Sequence, residues 1–188
     1  MPRLPDIDPA NLDAEQKRVY DAIVSGPRGK VEGPLRVWLT SPGFAERAQS
    51  LGAFCRFGSS LPPRLSELAI LITGAYWRAG FEWHAHAPIA IKAGLDPAAV
   101  EAIRRGEEPA LTREDESAVY HFSRELVATR RVSQPTYGNA ERLLGRRSLV
   151  DLVGVLGYYA LISMTINAFE VPIPDGADPF GERPSRRD

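Results

Sequence analysis

The stretch from Phe81 to Leu95, FEWHAHAPIAIKAGL, holds two of the chain's three histidines, His84 and His86, with an acid, Glu82, just before them. On a helix, residues two apart point about 200° away from each other, so His84 and His86 do not grip one ion together. Glu82 and His86, four apart, share a face. Two ligands do not make a metal site and no cysteine or third clustered histidine completes one, so no metal is expected. The pair does suit proton transfer, because a carboxylate can orient an imidazole and imidazole titrates near neutral pH. Pro88 lacks an N–H, so the His84 carbonyl loses its helical partner unless this is a first turn. In a first turn the helix dipole would favour neutral His86, which is a base. As an ordinary surface pair, Glu82 and His86 would add only about 0.2–0.5 kcal/mol.

A second acid shifts the balance. Glu67 sits inside the apolar run LSELAILITG, and a carboxylate on a buried helix is costly unless paired. It faces solvent, pairs with Arg64 three residues earlier, or converges with Glu82 and His86 across a tight turn at Gly80.

The elements that must position these residues read as helices. Asn11 or Asp13 caps a helix from about Ala14 to Val24. SGPRGKVEGP is a loop, and Leu35 to Thr40 is a short apolar piece. Phe44 to Gly58 has helical spacing with Cys55 on the apolar face, a small buried hydrophobe. Arg64 to Arg78 is too long and apolar for a strand and reads as a buried helix. The histidine helix follows and ends at Gly94, a left-handed cap. Asp96-Pro97 opens another, to about Arg105. Thr112, with Asp115 or Glu116 reaching back, opens one to about Thr129. Tyr137 to Leu144 and Arg147 to Phe169 complete the set, with Gly154 and Gly157 placed for close helix contact. No strand alternation and no phosphate-binding glycine loop is present. The chain is expected to be all-α and one domain: an arm over 1–12, a helical domain over 13–171, and a tail over 172–188.

The totals narrow the function classes. The chain has 188 residues, 44% hydrophobic and 25% charged, with 23 basic and 24 acidic residues for a net charge of −1. One domain with a sizeable core follows. Nothing in that balance calls for nucleic acid or an anionic membrane. No run of eighteen apolar residues suggests a membrane span, and the polar N-terminus is unlike a secretory signal. The single cysteine excludes an intrachain disulfide and fits a cytoplasmic location.

The run RLSELAILI (Arg64 to Ile72), then F-E-W-x-x-H and A-x-x-A-G-L, resembles the carboxymuconolactone decarboxylase family, within the all-helical alkyl hydroperoxidase D-like superfamily. The likeness covers Leu61 to Ile103. In the peroxidase branch a C-x-x-C pair lies seven and four positions before the motif histidine, and a glutamate nineteen before. Counted back from His86, those places hold Ala79, Glu82 and Glu67. Both cysteines are missing, and thiol peroxide reduction needs a thiolate and a resolving thiol. The decarboxylase branch uses no cysteine pair. By resemblance, His86 is the leading catalytic candidate, with Glu67 and Glu82 as orienting or proton-handling groups; Trp83 is pocket lining, and His84, at a variable place in the pattern, is pocket lining or surface.

The resemblance also implies cofactor-free decarboxylation of a small carboxylated lactone or related acid, and a homo-oligomer, trimer or hexamer. The arm and tail could wrap neighbours in it. Arg146 to Glu170 loosely repeats the style of the earlier helix pair, with Asp151 where Glu67 falls. Two unrelated apolar helices are the better explanation of that; a true duplication would turn Tyr159, Asn167 or Glu170 toward the same pocket. His121, on a charged helix, reads as a surface histidine. The competing readings are a thiol antioxidant oxidoreductase, which would need Cys55 exposed, and a noncatalytic helical scaffold.

Overall fold

A computed structural model describes residues 2–174, 176 and 178–181. Its elements are a short 3-10 turn, Pro9–Asn11, then α1 (Ala14–Ser25), α2 (Pro34–Trp38), α3 (Pro42–Ala53), a wider π-type turn (Phe54–Gly58), α4 (Pro63–Tyr76), α5 (Gly80–Lys92), α6 (Pro97–Arg105), α7 (Glu114–Thr129) and α8 (Gln134–Phe169). The fold is all-α, with no strand among the described residues. α8 is two helical stretches separated at Gly145, whose φ of 77° a side chain would strain. That break divides the two helices expected from the sequence.

α4 is the axis of the bundle. Ten successive residues, Leu65 to Gly74, are buried, because α4 packs on α5, α7 and α8 at once. A helix covered on all sides must be apolar all round, which is why its sequence shows no polar face and why Glu67 stands out in it. α8 is long and apolar enough to cross a membrane, with a mean hydropathy of 1.8 over its best window. That window is 61% buried inside the bundle, so α8 is a core helix.

Capping follows the sequence at α1, where Asp13 accepts from the Gln16 amide and Gln16 reaches back to Asp13, and at α6, where Asp96 accepts from the Ala98 amide. It departs at α7. Arg113 is the N-cap and offers no side-chain cap bond; Thr112 forms no capping box. Asp115 and Glu116 are taken instead by Arg64, which donates to both and ties α4 to α7. Gly154 and Gly157 border open space and mediate no close helix contact. The close approach is at Gly52, where an added Cβ would lie 2.0 Å from the Tyr158 hydroxyl.

The arm lies on its own chain: the Arg3 amide donates to the Phe169 carbonyl at 3.0 Å, and Arg36 pairs with Asp6 at 2.6 Å. The tail returns too, with Phe180 edge-on to Trp83.

Arg64→Ala would leave the Glu116 carboxylate, 6% exposed, buried without its cation. A loss of about 3 kcal/mol is expected, measurable by urea denaturation. A loss under about 0.5 kcal/mol would mean that the pair behaves as a surface contact.

Candidate functional site

α4 carries Glu67, and α5 carries Glu82 and His86. The turn between the helices is three residues long, Trp77 to Ala79, with Arg78 in the left-handed region at φ 49°. Gly80 is therefore the first residue of α5 rather than the turn itself, and its missing side chain makes room for Ile173. This hairpin lays α5 along α4 and brings residues nineteen apart into contact. The Nδ1 atom of His86 lies 2.7 Å from Glu67 Oε2, and Nε2 lies 3.0 Å from Glu82 Oε1. Exposure is 5% for Glu67, 4% for Glu82 and 4% for His86. Of the three sequence readings for Glu67, convergence on His86 is the one that the structure shows; Arg64 has its own partners.

The two carboxylates are not equivalent. Glu67 and His86 make an aligned hydrogen bond, whereas Glu82 Oε1 is buried and accepts no hydrogen bond despite its closeness to Nε2. Glu82 and His86 line a small cavity, and Glu67 lies behind it. His86 is thus hydrogen-bonded at Nδ1 and ion-paired at Nε2, with Nε2 on the side of Glu82.

His86 sits in the second turn of α5, so it lies away from the helix N-terminus and the expectation of a neutral base does not hold. Burial would lower its pKa, but the charge of Glu82 beside Nε2 and the hydrogen bond to Glu67 prevail and raise it to about 9. At neutral pH the ring is an imidazolium, an acid.

The cavity, about 60 Å³, is bordered also by Arg28, Arg56, Tyr158 and Tyr159. Arg28, Arg56 and Phe81 continue into a wider outer cleft of about 450 Å³, which reaches His84. The Tyr159 ring stands edge-on to His86, centroids 5.2 Å apart. A separate, mainly apolar cavity of about 240 Å³ lies between the arm and α2, with Phe81 as shared wall.

Among the residues expected in the pocket, Tyr159 borders the inner cavity and His84 the outer cleft. Trp83 does not: it is 5% exposed and packs on Phe180. Asn167 does not either, because its Nδ2 donates to the Trp77 carbonyl at 2.7 Å and ties α8 to the end of α4. Asp151 accepts from Ser60 and does not mirror Glu67. His121 is exposed beside Tyr120. Arg28, Arg56 and Tyr158 escape sequence reasoning, since no spacing links them to the histidine motif. Among the described residues, no group of three or more His, Cys, Asp or Glu could hold a metal ion. Cys55 is fully buried, and burial raises its thiol pKa.

Residues 42–131 match the model of the Carboxymuconolactone decarboxylase family. The likeness to that family lies in this segment, a little under half of the chain. The segment holds the Glu67–His86–Glu82 cluster whole. Solved structures share the fold along nearly the entire chain. One is an uncharacterized peroxidase-related protein from Silicibacter sp. TM1040, 15% identical, with a TM-score of 0.72 over 96% of this chain and 95% of that one. Another is an alkylhydroperoxidase AhpD core protein from Ralstonia eutropha JMP134, 11% identical, with a TM-score of 0.75 over 97% and 98%. A third is the debrominase Bmp8 in complex with 2,3,4-tribromopyrrole, 12% identical, with a TM-score of 0.72 over 93% and 91%. At these identities the likeness is one of fold. No curated protein matches the chain.

The raised pKa of His86 has a consequence for stability. A folded-state value above the ordinary 6.5 means a contribution that is complete below about pH 6.5 and lost as pH rises through 9. Urea denaturation from pH 6 to 10 should show wild type losing on the order of 3 kcal/mol more than His86→Gln across that window. Parallel curves for the two proteins would show that His86 is not held as an imidazolium.

Proposed function

We propose that this chain is a cofactor-free decarboxylase, or a related carbon–carbon lyase, acting on a small carboxylated lactone or similar acid in the cytoplasm. The observation that carries the reading is the buried Glu67–His86–Glu82 cluster, with its charged imidazolium at a cavity bordered by two arginines, Arg28 and Arg56, that have no carboxylate partner among the described residues. The family match of residues 42–131 supports it.

The chemistry is a proton replacing carbon dioxide. The bond between the substrate carbon and its carboxylate breaks, carbon dioxide leaves, and the electron pair stays on carbon, delocalised into an adjoining carbonyl. His86 donates its Nε2 proton to that carbon and becomes neutral. Glu67 on Nδ1 holds the ring in place throughout. Glu82, whose free oxygen borders the cavity, passes a solvent proton back to Nε2. The substrate's lost charge is thereby matched by one proton consumed.

A thiol reading has no support in the geometry. Cys55 is buried with a raised pKa, and Glu82 occupies the place of a redox cysteine. For assembly, the exposed apolar residues Val150, Val153 and Met164 on α8 support a homo-oligomer; light scattering after size exclusion should give a mass above 20.7 kDa, and a clean monomer at micromolar concentration would end that proposal.

Carbon dioxide release from a panel of carboxylated lactones and β-keto acids tests the enzyme reading. Wild type should turn over at least one, and His86→Ala should lose about a hundredfold or more. The rate should fall as pH rises through about 9, where the imidazolium loses its proton. Cys55→Ser should keep full activity. Release that survives His86→Ala, or dies with Cys55→Ser, would overturn the assignment.

A further inference from the structure

Acid–base chemistry at His86 leaves one need unmet. When carbon dioxide departs, negative charge appears on an oxygen of the substrate, and that oxygen requires donors placed in advance. The same cavity supplies two. Arg28, from the loop between α1 and α2, is half-buried; its Nη2 donates to the Tyr158 hydroxyl at 3.1 Å. Its Nε is buried and has no hydrogen-bond partner. Tyr158 is 2% exposed. Burial outweighs the pull of the nearby guanidinium and pushes its phenol up to about 12, so it keeps its proton at neutral pH. It accepts from Arg28, and its own O–H has no acceptor among the described residues. The nearby Lys30 and Glu32 neutralise each other at 2.8 Å. Neither Arg28 nor Arg56 has a carboxylate partner among the described residues.

The pair is built in from below. Gly52, on α3, lies directly beneath it: an added Cβ would fall 2.0 Å from the Tyr158 hydroxyl and 2.4 Å from Arg28 Nη2. Only a residue without a side chain lets the guanidinium and the phenol meet there. The cavity is therefore bordered by a guanidinium and a phenol that each keep a donor without an acceptor among the described residues, and also by Glu82 and His86.

The geometry points to Arg28 and Tyr158 as an oxyanion pocket that receives the enolate oxygen of the substrate. This rests on the decarboxylase reading for the identity of that oxygen. The departing carboxylate is a poor occupant, since holding it by a cation would stabilise the ground state and slow its loss. The carbonyl conjugated with the breaking bond is the oxygen on which charge grows, and donors there favour the transition state over the substrate. The substrate class narrows accordingly. It is a small β-keto or vinylogous acid that presents its carbonyl, rather than its carboxylate, to Arg28 and Tyr158, with the carbon to be protonated at His86.

Tetronate, a stable enolate anion on a five-membered lactone ring, is the probe, with neutral 2(5H)-furanone as its uncharged counterpart. Binding of both is followed by calorimetry in wild type, Arg28→Gln, Arg28→Lys, Tyr158→Phe and Gly52→Ala, each checked for folding by circular dichroism. Wild type should bind tetronate more tightly than the furanone. Arg28→Gln and Gly52→Ala should each weaken tetronate about tenfold or more, the scale of a lost hydrogen bond to a charged group, and leave the furanone unchanged. Arg28→Lys should recover only part of the loss, because it restores the charge without the Nε–H.

Gly52→Ala may be replaced by the loop variants should it fail to fold. Equal binding of the two probes by wild type, undiminished tetronate binding by Arg28→Gln, or full recovery by Arg28→Lys would overturn the inference. Because the readout is binding, it separates from turnover. An Arg28-dependent tetronate site in a protein that releases no carbon dioxide would sink the decarboxylase reading and keep the pocket. Carbon dioxide release with Arg28-independent binding would sink the pocket alone.

Discussion

An imidazolium held between two buried carboxylates is the constraint to which the rest of the structure answers. Three charges out of water are tolerable only while they stay together, since each alone would meet a desolvation cost of several kcal/mol. Two of them lie on one helix, so the third must be brought by its neighbour, and the α4–α5 hairpin does that. Arg78 accepts a left-handed backbone conformation to make the turn. α7 and α8 then complete the enclosure of α4.

The glutamate at position 82 changes the sense of the histidine. In the resembled peroxidase branch that position is a cysteine, and a histidine beside a thiol has to take a proton from it. Here the same position carries a negative charge that keeps the ring protonated. That protonated ring is what the proposed proton delivery requires. The buried, lone Cys55, far along the chain on the inner face of the π-type turn, does not restore the missing thiol chemistry.

Most of the helices were legible in the sequence because their signals are local: apolar spacing, Asp13 and Asp96 as caps, and Gly94 as a stop. The convergence of Glu67, Glu82 and His86 was legible too, since one misplaced acid in an apolar run needs a partner and the next helix offers one. What stayed hidden depends on tertiary neighbours. Asp115 and Glu116 read as capping residues, but Arg64 reaches them from another helix. Trp83 and Asn167 have the right chemistry for a pocket, and packing turns them toward Phe180 and the Trp77 carbonyl. Arg28 and Tyr158 sit 130 residues apart, joined only across Gly52. No periodicity reports such a meeting, and glycines elsewhere on α8 drew attention that Gly52 merited.

The chain divides its labour in a way that bears on how such a protein could change. Both carboxylates and the imidazole fall within twenty consecutive residues, Glu67 to His86, inside the family-matched segment. Arg28, Tyr158 and Tyr159 fall outside it, on the loop before and the long helix after. The buried acid–imidazole cluster is thus one compact block, while the walls of its cavity come largely from flanking chain. Under the proposed chemistry, substitution in those flanks would change the walls of the cavity and leave the Glu67–His86–Glu82 cluster untouched.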